Sequence, residues 1–277
     1  MWFSILDREW PALRSAFERW LDPSNFDSDG RQHVSLSTLT RPIQQWPESA
    51  AAVVEFRISD WAYRLGIRGA YACVHGMAPE TVRTEALAAH FDRTIRSTVE
   101  RFADADLAQN DVLRGFRQLH AAVHADRKLI SSPENLIRLA RKRAALPRIH
   151  PLVDIYNLVS LETQLALGAH DLARTPSPIE LRETRGTEAF WPLGADQPMR
   201  VPAGEYAYID AEAEVICRLE ARQVEKTKIT AETTAAFVII QGNLLAGSER
   251  ISQALAQFSE LCQRYLMAQV DIVSIVQ

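Results

Sequence analysis

Between Asp154 and Asp171 the chain sets polar residues at spacings that can build a ligand site. Asp154, Asn157 and Ser160 stand three residues apart, so on a helix they share roughly one side. Side chains of these types either hold a bound molecule or bond nearby backbone to fix the helix in place. Gly168-Ala169-His170-Asp171 follows. Gly168 leaves room for a ligand to approach the backbone, and His170 can accept a proton near neutral pH. A lone histidine is also a common structural hydrogen-bonder, and both readings stand at this point. Further on, Gly186 suits a tight turn, and Arg182 and Glu188 on either side of it can pair and shape the strand ends.

No nucleophile elbow, phosphate-binding loop, HExxH or catalytic-cysteine context occurs. The three cysteines (Cys73, Cys217, Cys262) form no CxxC pair and no Cys/His ligand spacing. That pattern supports neither a disulfide framework nor a zinc site, and no metal or cofactor is expected. The formal net charge of −4 argues against a generic polyanion binder. Contact with nucleic acid would have to be local, and one stretch qualifies. Arg127, Lys128, Arg138, Arg141, Lys142, Arg143 and Arg148 face a single acid, Glu134. Such a run either neutralises phosphates or forms a solvated helix face.

The elements that must position these residues follow from periodicity. Trp10, Leu13, Phe17 and Trp20 fall at helical spacing, predicting an amphipathic helix that ends near Asp22-Pro23. Residues 1–50 hold four of the six tryptophans (Trp2, Trp10, Trp20, Trp46). Ala52–Ile58 and Ala70–His75 read as strands, and a helix is expected from Pro79 to about Phe102. Asp111–Ala125 reads as another helix. Ser132-Pro133-Glu134 opens a third, with Ser132 as N-cap, and a fourth begins at Leu152. Then come short strands: IELRE, AFWPLG, GEYAYID, EVICRLE and AAFVIIQG. A last helix runs from Ser248 to Tyr265. Helices first and strands later predict an α+β fold, a mostly antiparallel sheet flanked by helices with an extra N-terminal helical segment. The amino terminus MWFSILDREW is neither a signal peptide nor a membrane span, so a cytoplasmic protein without a membrane or DNA partner is expected.

Three blocks carry a resemblance: LPRIHPLVDIYNLVSLETQLALGAHDL (146–172), RETRGTEAFWPLG (182–194) and ARQVEKTKIT (221–230). In that order they resemble the B-three/B-four domain of the phenylalanyl-tRNA synthetase beta chain, and most closely its free-standing bacterial relatives. The resemblance begins near Ala52 and is strong from about Ser131 to Asn243. It implies an N-terminal extension over 1–50, an editing domain over 51–246, and a C-terminal helix within 247–277 packed on that domain. In the synthetase this domain hydrolyses wrongly charged aminoacyl-tRNA, so the implied activity is deacylation of mischarged tRNA in trans. Relatives linked to removing canavanine from tRNA(Arg) make that analogue one named candidate. A non-catalytic aminoacyl-tRNA carrier and an aminoacyl transferase are the alternatives.

The resemblance also assigns residues. Synthetase relatives carry His-Ala-aromatic-Asp where this chain has Gly168 to Asp171, so glycine replaces their histidine and His170 replaces the aromatic. Gln223 stands where the synthetases place a glutamate that reads the tyrosine hydroxyl, and Ala221 where free-standing relatives show tryptophan. The implied catalytic set is Glu188, His170 and Asn157. The implied substrate contacts are Ser160, Gly168, Trp191, Gln223, Thr227, Lys228 and Thr230. The tRNA would lie on Arg138, Arg141, Lys142, Arg143 and Arg148, and a homodimer is compatible with the apolar stripe of the last helix.

Overall fold

The computed structural model describes residues 10–27, 31–35, 54–78 and 84–277. They fall into two compact units, residues 1–53 and 54–277. In the first, helix α1 (Trp10–Leu21) is followed by a one-turn 3-10 helix capped by Asp22, whose carboxylate accepts from Ser24 N at 2.8 Å. Buried Asn25 ties this turn to the segment after it, donating to Trp20 O at 3.0 Å and Val34 O at 2.9 Å. Trp2, Trp46 and the first residues of the expected 52–58 strand lie outside the described residues.

The second unit contains β1 (Phe56–Ile58), α2 (Asp60–Leu65), β2 (Ile67–His75), α3 (Glu85–Phe102), α4 (Asp111–Ala122), α5 (Ser132–Arg143) and α6 (Pro151–Thr163). Then follow β3 (Ala166–Asp171), β4 (Ile179–Glu183), β5 (Tyr206–Ile209), β6 (Val215–Arg218), β7 (Arg222–Gln223), β8 (Ala236–Asn243), α7 (Ser248–Leu266) and β9 (Gln269–Val276). One sheet has the order β3-β8-β2-β9 and is antiparallel throughout. The other has the order β1-β4-β5-β6-β7, antiparallel except for the β1–β4 pair. This is the expected α+β, mostly antiparallel architecture, divided between two sheets.

Aromatic rings join the sheets. Tyr71 of β2 stacks on Phe56 of β1 at 3.9 Å between centroids, with Phe237 of β8 and Tyr208 of β5 at 6.4 and 6.1 Å. The tyrosine hydroxyls are 3.3 Å apart, and Tyr208 donates to Gln241 Oε1 at 2.7 Å. Rings of this size supply much of the apolar burial while their hydroxyls find partners inside. Helices α3, α5, α6 and α7 pack on one another, and α7 also lies against β2, β8 and β9.

Four expectations are corrected. Helix α3 starts at Glu85, because Thr84 takes the N-cap and accepts from Leu87 N at 3.1 Å; Pro79 lies outside the described residues. In α5 the N-cap position belongs to Ser131, and Ser132 is the first helical residue. Proline is tolerated throughout a first turn, where no intrahelical N–H bond is needed, so Ser-Ser-Pro does not fix which serine caps. AFWPLG forms only the isolated bridges Ala189–Glu214 and Pro192–Val224, since Pro192 has no N–H with which to extend a ladder. Finally, β9 extends the sheet beyond α7, where no strand was expected.

Candidate functional site

Strands β3 and β7 are edge strands of the two sheets, and a cleft of about 260 Å³ opens between them. Strand β3 lines it with Ala166, Leu167, Gly168 and His170. The first residue of α5, Ser132, and Tyr156 and Asn157 of α6 line it as well, and the β6–β7 hairpin contributes Cys217 and Glu220 to Gln223. A volume below the ~300–1,000 Å³ of drug-sized sites suits a ligand portion the size of an amino acid.

Four polar groups meet here with little protein bonding of their own. The Gln223 carboxamide lies over Gly168 so closely that a Cβ at 168 would stand 2.5 Å from Gln223 Nε2. His170 is buried and bonds Thr227 Oγ1 through Nδ1 at 2.8 Å, while its Nε2 has no partner. Burial lowers the His170 pKa to about 3. Ser132 Oγ is buried without a partner too, as is Ser131 Oγ at the cap position before it. Asn157 is half-buried on α6. Buried polar atoms are nearly always satisfied, and two of the unpartnered ones belong to residues that line this cleft.

The hairpin that carries Gln223 is held from below. Leu219 and Glu220 both take left-handed backbone, φ 51° and 44°, which costs non-glycine residues on the order of 1–2 kcal/mol each. Buried Glu220 anchors the turn. It accepts from His120 Nε2 at 2.6 Å, from Gln241 Nε2 at 3.2 Å, and from the Tyr206 hydroxyl. Burial disfavours a charged His120, but the adjacent Glu220 carboxylate and the Leu219 and Leu129 carbonyls outweigh it, so its pKa is raised.

Other expected site residues lie elsewhere. Glu188 is buried, accepting from Arg182 at 2.8 Å and from the backbone amides of Arg185, Gly186 and Thr187 at 2.9 to 3.2 Å. Burial pushes its pKa up, but the Arg185 amide and the Arg182 guanidinium prevail and hold it near about 2. It does not line the cleft. Ser160 donates to Leu165 O at 2.7 Å and locks the α6–β3 turn. Thr227 is fully buried under His170, and its carbonyl accepts from Asp171 N at 2.9 Å. Thr230 N donates to Thr233 Oγ1 at 3.0 Å, and Lys228 pairs with Glu225. Trp191 is 48% exposed and donates to Ala195 O at 2.8 Å.

The basic stretch divides in two. Arg138, Arg141, Lys142 and Arg143 of α5 are exposed, although Arg138 pairs with buried Glu134 at 2.5 Å and Arg141 donates to Ala103 O at 2.9 Å. Arg148 does not join that surface. It binds Asp92, lies 3.4 Å from buried Asp154, and stacks 4.1 Å over the Phe91 ring.

Two other features are closed. A larger hollow of about 750 Å³ beside Trp61 and His124 contains the Glu205–Arg218 pair, already bidentate at 2.6 and 2.7 Å. Among the described residues, Asp210, Glu212 and Glu214 cluster as metal ligands would. Lys226 Nζ, at 3.0, 2.6 and 2.7 Å from them, fills their centre. Tyr156, Cys217 and Arg222 are cleft residues that spacing did not signal, and His120 and Glu220 are a hundred positions apart.

No described helix is long and apolar enough to cross a membrane. Comparison with curated proteins finds no match. Among solved structures 17 chains match. One is an N-terminal fragment of the phenylalanyl-tRNA synthetase beta-subunit from Pyrococcus horikoshii, 15% identical with a TM-score of 0.44. The alignment covers 85% of this chain and 58% of that one, so the chain spans little more than half of that fragment. The model of the B3/4 domain matches residues 115–266, more than half of the 277 residues and every polar group that meets in the cleft. The chain belongs to the B3/4 domain family.

Proposed function

We propose that this protein hydrolyses the ester of mischarged aminoacyl-tRNA in trans, in the cleft between β3 and β7. The observation that carries the reading is the convergence there of Ser132, Asn157, His170 and Gln223, two of them with buried unpartnered atoms. An aminoacyl ester is already activated. A site that holds it, orients a water and stabilises charge on the carbonyl oxygen can hydrolyse it without a nucleophilic triad. Gln223, seated on Gly168, and Asn157 hold the amino acid and the terminal ribose. Glu188 positions the turn that bears it, since its oxygens are spent on that turn's amides.

Helix α5 links the cleft to the RNA. Ser132 lines the cleft, and Lys142 and Arg143 lie in the last turn, about 17 Å away along the axis at 1.5 Å per residue. The flexible acceptor end enters the cleft while phosphates of the stem meet Arg138, Arg141, Lys142 and Arg143. A second reading, a carrier that binds aminoacyl-tRNA without turnover, draws on the sequestered Glu188: the cleft offers no unpaired carboxylate base. One experiment separates them. tRNAs charged with cognate, near-cognate and analogue amino acids, canavanine on tRNA(Arg) included, are followed for ester loss with wild-type protein, the Gln223→Ala variant and buffer. Selective loss of one mischarged species, reduced in the variant, supports hydrolysis. Tight binding with no ester loss favours the carrier, and an absence of both binding and ester loss refutes both readings. Lys142→Gln/Arg143→Gln should weaken tRNA binding and lower the log–log salt slope by about 1–2.

A further inference from the structure

We propose that His170 serves the cleft as a neutral hydrogen-bond donor, its Nε2–H meeting the carbonyl oxygen of the bound ester, with Thr227 fixing the tautomer. The proposal rests on the cleft being the ester site, and it replaces the proton-accepting role that the residue type alone suggests. Geometry supplies the argument. His170 is 1% exposed and lines the cleft, Nδ1 stands 2.8 Å from Thr227 Oγ1, and Nε2 is buried and unpartnered.

The Thr227 side chain is fully buried, and its hydroxyl has no other partner among the described residues. If Nδ1–H donated to Thr227, the hydroxyl hydrogen and the Nε2 lone pair would both be unmet. If the hydroxyl donates to Nδ1, only Nε2–H is unmet, on a residue that lines the cleft. A buried group without a partner carries the full cost of its desolvation, so the second arrangement prevails. It leaves the imidazole as a donor towards the cleft.

The surroundings favour an uncharged ring. The titratable cleft neighbours are Tyr156 on α6, Cys217 on β6, Glu220 in the hairpin turn and Arg222 on β7. Glu220 is already matched by His120, and burial keeps the Tyr156 and Cys217 protons in place. On β3 itself, Asp171 accepts from Thr233 Oγ1 at 2.7 Å. Burial lowers the His170 pKa to about 3, leaving the ring too weak a base to activate water at neutral pH. A fixed neutral dipole aimed at an oxygen on which charge develops is what such a step needs, and it requires no proton transfer to work.

The test has a part that does not depend on turnover. In 15N-histidine-labelled protein, two-bond proton–nitrogen correlations should show His170 protonated at Nε2 and bare at Nδ1 throughout about pH 5 to 8. Thr227→Val should dissolve that preference while the backbone spectrum stays folded. A proton on Nδ1, or titration near about pH 6.5, would overturn the proposal. Adding an adenosine 3′-amide analogue of the aminoacyl end should move the His170 Hε2 resonance. A bound analogue that leaves it unmoved would also overturn the donor role. If the analogue does not bind, the ester-site reading fails and takes the donor role with it, although the tautomer result stands. With an active substrate, His170→Leu should lower kcat about 10²–10³-fold, as loss of one oxyanion donor does. His170→Gln, which keeps a donor, should retain much more. An acidic limb in the wild-type rate profile that disappears in His170→Gln would identify a base instead, and refute the proposal.

Discussion

Replacing Gly168 with alanine should disable the cleft while leaving the fold intact. The new Cβ would lie 2.5 Å from Gln223 Nε2 and 3.7 Å from its Cδ, whereas comfortable heavy-atom contact begins near ~3.5 Å. The carboxamide must therefore retreat by about 1 Å. Gly168 has no left-handed φ and pairs with Ile239 in regular antiparallel register, so β3 accepts an L side chain. The loss of unfolded-chain freedom favours alanine by ~0.4–1 kcal/mol, and moving Gln223 off its rotamer costs ~0.5–1.5 kcal/mol. These terms nearly cancel, and the melting temperature should change by only a few degrees. Activity should not follow stability, because a 1 Å misplacement of a positioning group costs about 10²-fold. The assay pairs thermal melts with kcat/KM for the proposed deacylation in Gly168→Ala, Gln223→Ala and the double variant. The two losses should not multiply, since both remove the same amide. A Gly168→Ala protein within about threefold of wild type, or losses that multiply, would refute the coupling.

Elsewhere the structure predicts stability changes with distinct signatures. In α4 a Cβ at Gly115 would fall 2.0 Å from Asn243 Oδ1, and Asn243 is anchored to Val112 O and Leu245 N at 3.0 Å each. Gly115→Ala should therefore cost about 1–3 kcal/mol in urea unfolding, against the gain alanine normally brings to a helix. Glu188→Gln should cost on the order of 2 kcal/mol at pH 7 after discounting for solvent screening. Because the folded carboxyl sits at about 2 against an ordinary 4.5, that difference should persist above about pH 4.5. It should fade as pH falls towards about 2, and a pH-independent difference would contradict the assignment. Glu220→Gln leaves His120 without its anion and should cost about 3 kcal/mol or more near pH 6. His120 is raised above its ordinary 6.5. Its contribution is therefore complete below that value and declines as pH rises through the folded pKa, so the gap between variant and wild type should narrow in alkaline buffer.

Much of the architecture was legible because burial imposes period on sequence. The alternation in Ile179–Glu183 and the stripe Ile251, Leu255, Phe258 and Cys262 translate directly into β4 and α7. The site was legible only in part, and the misses have physical causes. Asn157 and Ser160 are three residues apart, which on a helix is a turn short by about 60°. That angle still falls between Tyr156 and Asn157, which both line the cleft, but Ser160 stands about 4.5 Å further along the axis, where its hydroxyl is taken by Leu165 O. Glu188 follows a tight turn whose free amides compete for any nearby carboxylate, a local preference that spacing does not reveal. Gly168, His170 and Gln223 do meet, but the contact that joins them depends on β3 and β7 being edges of different sheets. Nothing local in the sequence specifies that juxtaposition, just as nothing local pairs His120 with Glu220.

The polar residues of this region divide by how their bonds are used. Glu188, Glu220, Thr227 and Ser160 spend theirs on the protein, holding turns and strained backbone that place other groups. His170 Nε2 and Ser132 Oγ spend none, and each such buried group costs about 1–3 kcal/mol when left unmet. A fold with marginal net stability, about 5–15 kcal/mol for a domain, has little room for two such costs on one surface without a compensating use. The Leu219–Glu220 turn adds strain in the hairpin that bears Gln223, and strain of this kind collects where a structure must hold groups ready for a ligand. Orphaned donors and a strained, heavily anchored hairpin thus converge on the same 260 Å³ cleft. It follows that a ligand reaching the cleft should stabilise the protein by more than its contact area implies, because it supplies partners to atoms that folding left without any.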